Sequence, residues 1–245
     1  MVRGESGVDG PRAFVDLHCH TRASFDSLAN PKSVVRAAAS RGLTHLAITD
    51  HDRIDAAVAA RDSAPEGLTV IVGEEIQSAD GDIIGLFLEA IVPPGLSAIE
   101  TIAAIREQGG LVGIPHPFDG RRGFGRGGTD LESIADKIDW VEAYNARVLG
   151  GSANEKAALF AVGHNLPGVA ASDSHTVLEV AVAYNVLAGD PSTPEGLLAA
   201  LAGVDMRSGR ASYYVRAWTP IAKIIQSVTG NGRQQRQERM GEAGE

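Results

Sequence analysis

The segment Phe14-Val15-Asp16-Leu17-His18-Cys19-His20 ends the first apolar run of the chain with two histidines one residue apart. In an extended strand, residues i and i+2 share a face, so both imidazoles can grip one ion while Cys19 points away. Four further clusters of metal-ligating residue types each follow an apolar run: Thr49-Asp50-His51-Asp52, Gly73-Glu74-Glu75, Pro115-His116-Pro117 and Ser172-Asp173-Ser174-His175. Any one histidine is more often a core residue than a ligand. Five such clusters at five strand ends point instead to one polynuclear centre.

The candidate ligand set is His18, His20, Asp26, His51, Glu75, His116, Asp173 and His175, which takes five of the seven histidines. His45 and His164 read as structural or surface residues. Mixed imidazole and carboxylate donors suit Mn²⁺, Zn²⁺ or Fe²⁺ better than Ca²⁺ or Mg²⁺ alone. Eight groups exceed the needs of one ion, so two or three divalent ions are expected, with a carboxylate such as Glu75 bridging. Asp16, Asp50 and Asp52 are placed to hydrogen-bond a ligand imidazole.

The elements that must position these groups alternate in type. Short β-branched runs at 13–17, 44–49, 69–73, 83–88, 111–115, 138–143, 168–171 and 182–187 read as strands. Between several of them lie alanine-rich stretches of helical length. Asn30-Pro31 opens one that Gly42 stops, Ser97 caps one ending at Gly109-Gly110, Ser152 caps one to Gly163, and Pro194 to Ala202 forms another. Alternation predicts parallel strands with crossover helices, and near-continuous apolar strands predict burial on both faces. A closed or nearly closed barrel fits, with functional groups gathered at the strands' C-terminal ends. An open doubly wound sheet is the alternative, but it would spread the clusters along a line.

A chain of 245 residues with 44% hydrophobic content sustains one full-sized core. We expect a flexible N-terminus over 1–12, a single barrel domain over 13–229 and a disordered polar tail over 230–245. A net charge of −9 argues against an extended nucleic-acid surface. One cysteine permits no internal disulfide, residues 1–12 lack a signal-peptide core, and no run reaches membrane-spanning length, so a cytoplasmic protein without membrane partners is expected. The oligomeric state is left open.

Taken in order, the HxH, DH, GxE, HP and DxH clusters resemble the PHP (polymerase and histidinol phosphatase) family, from about Phe14 to Leu187. The resemblance implies an α/β fold, a distorted seven-stranded TIM-like (β/α) barrel, with up to three metal ions at its C-terminal mouth. It would place His18, His20, Glu75 and Asp173 on a first ion, Glu75 and His116 on a second, and Asp26, His51 and His175 on a third. Many members carry another histidine after the strand ending near Glu142. Here that segment is Glu142-Ala143-Tyr144-Asn145-Ala146-Arg147-Val148-Leu149-Gly150, which offers only Asn145 as a weak oxygen donor. The E-x-x-N-A-R wording resembles a subset of PHP phosphoesterases.

The chemistry expected is metal-dependent phosphoester hydrolysis through a metal-bridging hydroxide, with Glu75 and Asp173 serving catalysis directly. Two or three divalent ions outweigh the carboxylates of Asp26, Glu75 and Asp173, so the mouth attracts a small phosphorylated metabolite or nucleotide. Arg147 and Asn145, and Arg121 in the glycine-rich segment Phe118–Gly128 with Arg122 and Arg126, are the candidates for holding it. That segment reads as a flap or as an inert loop. Two rivals stand beside this reading. An amidohydrolase would want a bridging lysine, yet Lys32, Lys137, Lys156 and Lys223 fall in predicted helices or just before a strand. A non-catalytic metal-binding regulatory module would not need so complete a ligand set.

Overall fold

The computed structural model describes residues 11–125, 127–216 and 218–232. In chain order the elements are β1 (Arg12–Asp16), α1 (Pro31–Ser40), β2 (His45–Ile48), α2 (Asp55–Arg61), β3 (Thr69–Gln77), β4 (Asp82–Leu86), α3 (Ala98–Glu107), β5 (Leu111–Ile114), a 3₁₀ helix (Leu131–Lys137), β6 (Trp140–Asn145), α4 (Gly151–Gly163), β7 (Gly168–Ala171), β8 (Tyr184–Ala188), α5 (Pro194–Leu201), β9 (Asp205–Arg207), α6 (Tyr213–Arg216) and α7 (Trp218–Val228). Among the described residues no helix is long and apolar enough to cross a membrane.

The strands form one sheet in the order β7-β6-β5-β4-β3-β2-β1-β8-β9. β1, β2 and β3 pair in parallel, as do β5, β6 and β7. β4 and β8 run against their neighbours. The result is a distorted, nearly closed TIM-like barrel that departs from uniform βα alternation at these two strands. At β4 the reason is local. Only four residues separate β3 from β4, and the hydroxyl of Ser78 donates to the Gly81 carbonyl across that turn (2.5 Å), so the chain doubles back as a hairpin instead of crossing over.

Alternate residues on the strands enter different clusters. Leu46, Ile48, Val70 and Val72 join the layer shared with Val34, Val35, Ala57 and Ala60 of α1 and α2. Ala47 and Ile71 join a second cluster with Val15, Leu17, Trp140, Val169 and Leu187. Burial on both faces is what a helix-covered barrel demands. Trp140 is fully buried against Gly113 on the neighbouring strand, where an added Cβ would fall 2.0 Å from the indole.

Sequence capping signals set the helix starts. Asn30 accepts from the Lys32 amide ahead of Pro31, and Ser97 with Glu100 forms a reciprocal capping box. α4 differs from expectation: it starts at Gly151, and Gly150 precedes it in the left-handed region (φ 86°) with no side-chain cap from Ser152.

One side chain bridges the seam between β7 and β8. The Asn185 amide accepts from the Ala170 N–H (2.8 Å) and donates to the carbonyls of Ala170 (2.8 Å) and Val15 (3.2 Å). It thereby replaces a missing strand pairing and leaves none of its own groups unpaired. Asn185→Ala is expected to lower stability by about 2–3 kcal/mol, because it removes the side-chain partner of three backbone groups. Urea denaturation measures this, and hydrogen exchange should show lost protection at Ala170; a change below about 0.5 kcal/mol would contradict the role.

Candidate metal centre

The five clusters meet. Three overlapping groups of donor atoms each lie within 4.8 Å of one another: His20, Asp26, His51 and His175; His18, His20 and Asp173; and His18, Glu75 and His116. All eight candidate ligands are buried. Glu75 stands between the groups. Its Oε2 lies 3.4 Å from His18 Nε2, 3.2 Å from His20 Nε2 and 3.1 Å from His51 Nδ1, and its Oε1 lies 3.0 Å from His116 Nε2. His18 Nε2 and His20 Nε2 are 2.9 Å apart and aim at the same space. The groupings differ from the expected sharing in three ways: His20 joins Asp26, His51 and His175, His18 joins Glu75 and His116, and Glu75 is not grouped with His18, His20 and Asp173.

Local backbone explains the convergence. Beyond β1 the chain stays extended, with Cys19 bridging Ser174 in parallel, so His18 and His20 share one side. Cys19 faces the other way, into the helix-facing core. His116 (φ 30°) and Asp173 (φ 50°) hold left-handed backbone, rare for residues with a Cβ and typical of functional positions.

The donor atoms are prepared for cations. Glu142 Oε1 takes the His18 Nδ1 proton at 2.6 Å, and its Oε2 accepts from the His116 amide at 2.9 Å. Asp50 accepts from the Ser24 hydroxyl (2.6 Å), which in turn accepts from His20 Nδ1 (2.9 Å). His175 Nδ1 donates to the Asp173 carbonyl (2.9 Å). In each case the opposite Nε2 points inward, where it carries either a proton or, once deprotonated, a lone pair for a cation. Asp16 and Asp52 serve backbone amides instead, at Ser172 and Gln77.

Two buried carboxylate oxygens at the centre, Glu75 Oε2 and Asp173 Oδ1, have no hydrogen-bond donor among the described residues. Orphaned anionic oxygens facing imidazole lone pairs are what divalent cations satisfy, so the donor set fits the ions. Burial opposes charge here, yet mutual attraction prevails. His18 is held well above the ordinary imidazole value by Glu142, Glu75 and Asp173. Asp173 is held well below the carboxylate range by Arg122 and His18. Burial pushes His175 down to about 4, leaving a neutral imidazole suited to ligation.

The expected substrate-binding residues take other places. Arg147 is almost fully buried, giving one nitrogen to Glu179 Oε1 (2.6 Å) and another to Thr219 Oγ1 (2.6 Å), so its fork braces α7 instead of opening to the mouth. Asn145 lies within the centre but donates to Glu142 Oε2 (2.8 Å) and Asp173 Oδ2 (3.2 Å). Arg121 is exposed, and its amide caps Asp119. Its neighbour Arg122 is the arginine that reaches inward, to Asp173 Oδ2 at 2.6 Å. Arg126 lies outside the described residues. The glycine-rich segment is pinned to the β3–β4 hairpin by hydrogen bonds from Gly125 N to Asp80 O (2.8 Å) and Thr129 N to Asp80 Oδ1 (3.0 Å).

Composition and spacing left two contributors unmarked, the carboxylate of Glu142 and the helix α7, and named Arg122 only beside Arg121 and Arg126. The side chain of Gln226 on α7 donates to the carbonyls of Arg22 (2.9 Å), Ser24 (3.2 Å) and Ser27 (2.7 Å), clasping the loop that carries Asp26. Lys223 Nζ on the same helix stands 4.0 Å from Asp26 Oδ2.

The sequence pattern of the PHP domain matches residues 16–159, and that of the PHP-associated region matches 151–203. The chain belongs to the PHP family. An uncharacterized protein of Methanocaldococcus jannaschii is 38% identical over 155 residues, covering 57% of this chain and 85% of the relative. Among solved structures, a two-domain Bacteroides vulgatus protein containing a predicted PHP-like metal-dependent phosphoesterase superposes with a TM-score of 0.68 at 18% identity, covering 82% of this chain and 66% of that one. A lesion-specific endonuclease from Pyrococcus furiosus superposes with a TM-score of 0.58 at 16% identity, covering 80% and 58%. These likenesses concern the fold.

If α7 holds the Asp26 loop in this PHP barrel, Gln226→Ala should cost about 1–3 kcal/mol and raise hydrogen exchange across residues 21–27 while sparing β6 and β7. Uniform exchange throughout would contradict a local clasp.

Proposed function

We propose that this PHP protein is a metal-dependent phosphoesterase that hydrolyses a phosphate mono- or diester of a small metabolite or nucleotide. The observation that carries the reading is the shared, buried Glu75 carboxylate with three donor groups arranged around it. Manganese, zinc or iron ions held by His18, His20, Asp26, His51, Glu75, His116, Asp173 and His175 would supply charge neutralisation at phosphorus and an acidic water for attack.

The chain's own groups do the rest. Glu142 fixes the His18 tautomer and the backbone of His116, so both imidazoles meet the same substrate space. Asp173 divides its work: Oδ2 is occupied by Arg122 and Asn145, which leaves Oδ1 directed at His18 and His20. Arg122 is only partly buried and has donors beyond the one given to Asp173, so among the described residues it is the guanidinium best placed for phosphoryl oxygens. The chain's net charge of −9 favours a compact substrate over a long nucleic acid. A glutamate, Glu75, stands between the donor groups where an amidohydrolase would want a lysine to bridge, which weighs against that reading.

The test is hydrolysis of p-nitrophenyl phosphate, bis(p-nitrophenyl) phosphate and a panel of phosphorylated metabolites by chelator-stripped and metal-reloaded protein. Activity should vanish on stripping and return with Mn²⁺, Zn²⁺ or Fe²⁺. Glu142→Gln should lower kcat/KM by about 10–100-fold, and Glu75→Gln by more, with the fold retained by circular dichroism. No metal-stimulated turnover on any ester would refute the proposal.

A further inference from the structure

Beside the candidate centre lies a cavity of about 410 Å³ whose wall includes Asp26 and His175. Because these two residues belong to both, the cavity adjoins the centre and is within reach of a molecule seated there. The rest of the lining is chiefly Leu28, Val177, Leu178, Val215, Trp218 and Ala222. Its two hydroxyls each have a protein partner: Thr176 Oγ1 donates to Glu179 (3.0 Å), and Thr219 Oγ1 accepts from Arg147 (2.6 Å). Among the described residues, Asp26 and His175 are its ionisable lining groups, and they face each other at 3.2 Å. The indole of Trp218 is half exposed there, as is much of Leu178, which leaves an apolar surface without a partner among the described residues.

We infer that this cavity receives the alcohol half of the substrate and selects an uncharged, flat aromatic group, so the preferred substrate is the phosphate ester of an aromatic alcohol. The inference rests on the phosphoesterase reading and adds the leaving-group class. A polyol or sugar would bring several hydroxyls that lose water here and meet few polar groups on a chiefly apolar wall. A second charged group would be buried chiefly against the aliphatic side chains of Leu28, Val177, Leu178, Val215 and Ala222. An aromatic ring fits in size: roughly 150 Å³ suffices for benzene in an apolar protein cavity. It also gains from stacking on the indole. A second cavity, of about 440 Å³ beside Leu68–Val72, Phe87–Glu89 and Ser192, touches none of the candidate ligands and adds no competing subsite.

The experiment compares benzyl phosphate with ethyl phosphate, whose alcohols differ little in acidity, so the ratio of their kcat/KM values reports the pocket and not leaving-group chemistry. The wild-type protein should favour benzyl phosphate at least about tenfold, equivalent to about 1.4 kcal/mol. In Trp218→Ala that ratio should fall by a factor of five or more. Leu178→Ser, at an exposed position, gives the same comparison should Trp218→Ala loosen α7. Calorimetric binding of benzylphosphonate against ethylphosphonate to metal-loaded protein reads the pocket without turnover. If neither ester is cleaved but benzylphosphonate binds more tightly in a Trp218-dependent way, the phosphoesterase reading fails and the aromatic pocket stands. Equal ratios in wild type and both variants, or equal binding of the two phosphonates, overturn the inference. So does a Trp218→Ala protein with unchanged affinity and a lower sedimentation mass, which would assign the surface to a second copy of the chain.

Discussion

One buried carboxylate facing four imidazoles is the constraint on which the architecture turns. Glu75 lies 3.0–3.4 Å from ring nitrogens of His18, His20, His51 and His116, drawn from three other segments of the barrel mouth. Such a group is withdrawn from bulk water, and it favours positive charge on or between the rings that face it. Two of those rings, His18 and His20, donate outward to Glu142 and Ser24. The inward space is left rich in lone pairs and negative charge, which is costly in a protein interior and favourable around divalent ions. The left-handed backbone at His116 and Asp173 belongs to the same arrangement, since it aims side chains that regular strands would send elsewhere.

The barrel makes this possible by gathering strand ends. Parallel strands β1, β2 and β3 deliver the HxH, DH and GxE clusters side by side, while β5, β6 and β7 deliver His116, Glu142 and the DxH pair from the other half. The Asn185 seam keeps the two halves facing each other. Around this rim, Arg122 and α7 act as separate clasps: one reaches Asp173 from the glycine-rich segment, the other holds the Asp26 loop and lines the neighbouring apolar cavity.

Much of this was legible in the residues themselves. The apolar runs placed eight of the nine strands within a few positions, and Asn30 and Ser97 marked helix starts by a capping chemistry that acts over three or four residues. The ligand types were readable because histidine and carboxylate at strand ends have few other reasons to recur. What escaped depends on distance in sequence. Glu142 looks like any acid in a strand until His18, 124 positions away, is seen against it. Arg121 and Arg122 are indistinguishable by type, and only the Asp119 turn decides that Arg122 points inward. Arg147 has the right chemistry for phosphate, but Glu179 and Thr219 compete for it successfully. The stripe of apolar residues on α7 carries helical periodicity, whereas the role of Gln226 shows only when three carbonyls of a distant loop converge on its amide.

The most direct test of the account is crystallographic. Crystals of the protein grown with Mn²⁺ would be measured at wavelengths on either side of the manganese absorption edge. The account requires two or three anomalous peaks in the space enclosed by His18, His20, Glu75, His116, Asp173 and His175, at about 2.0–2.3 Å from their donor atoms. Fully loaded crystals with no peak there, and with the Glu75 carboxylate satisfied by protein donors alone, would contradict it.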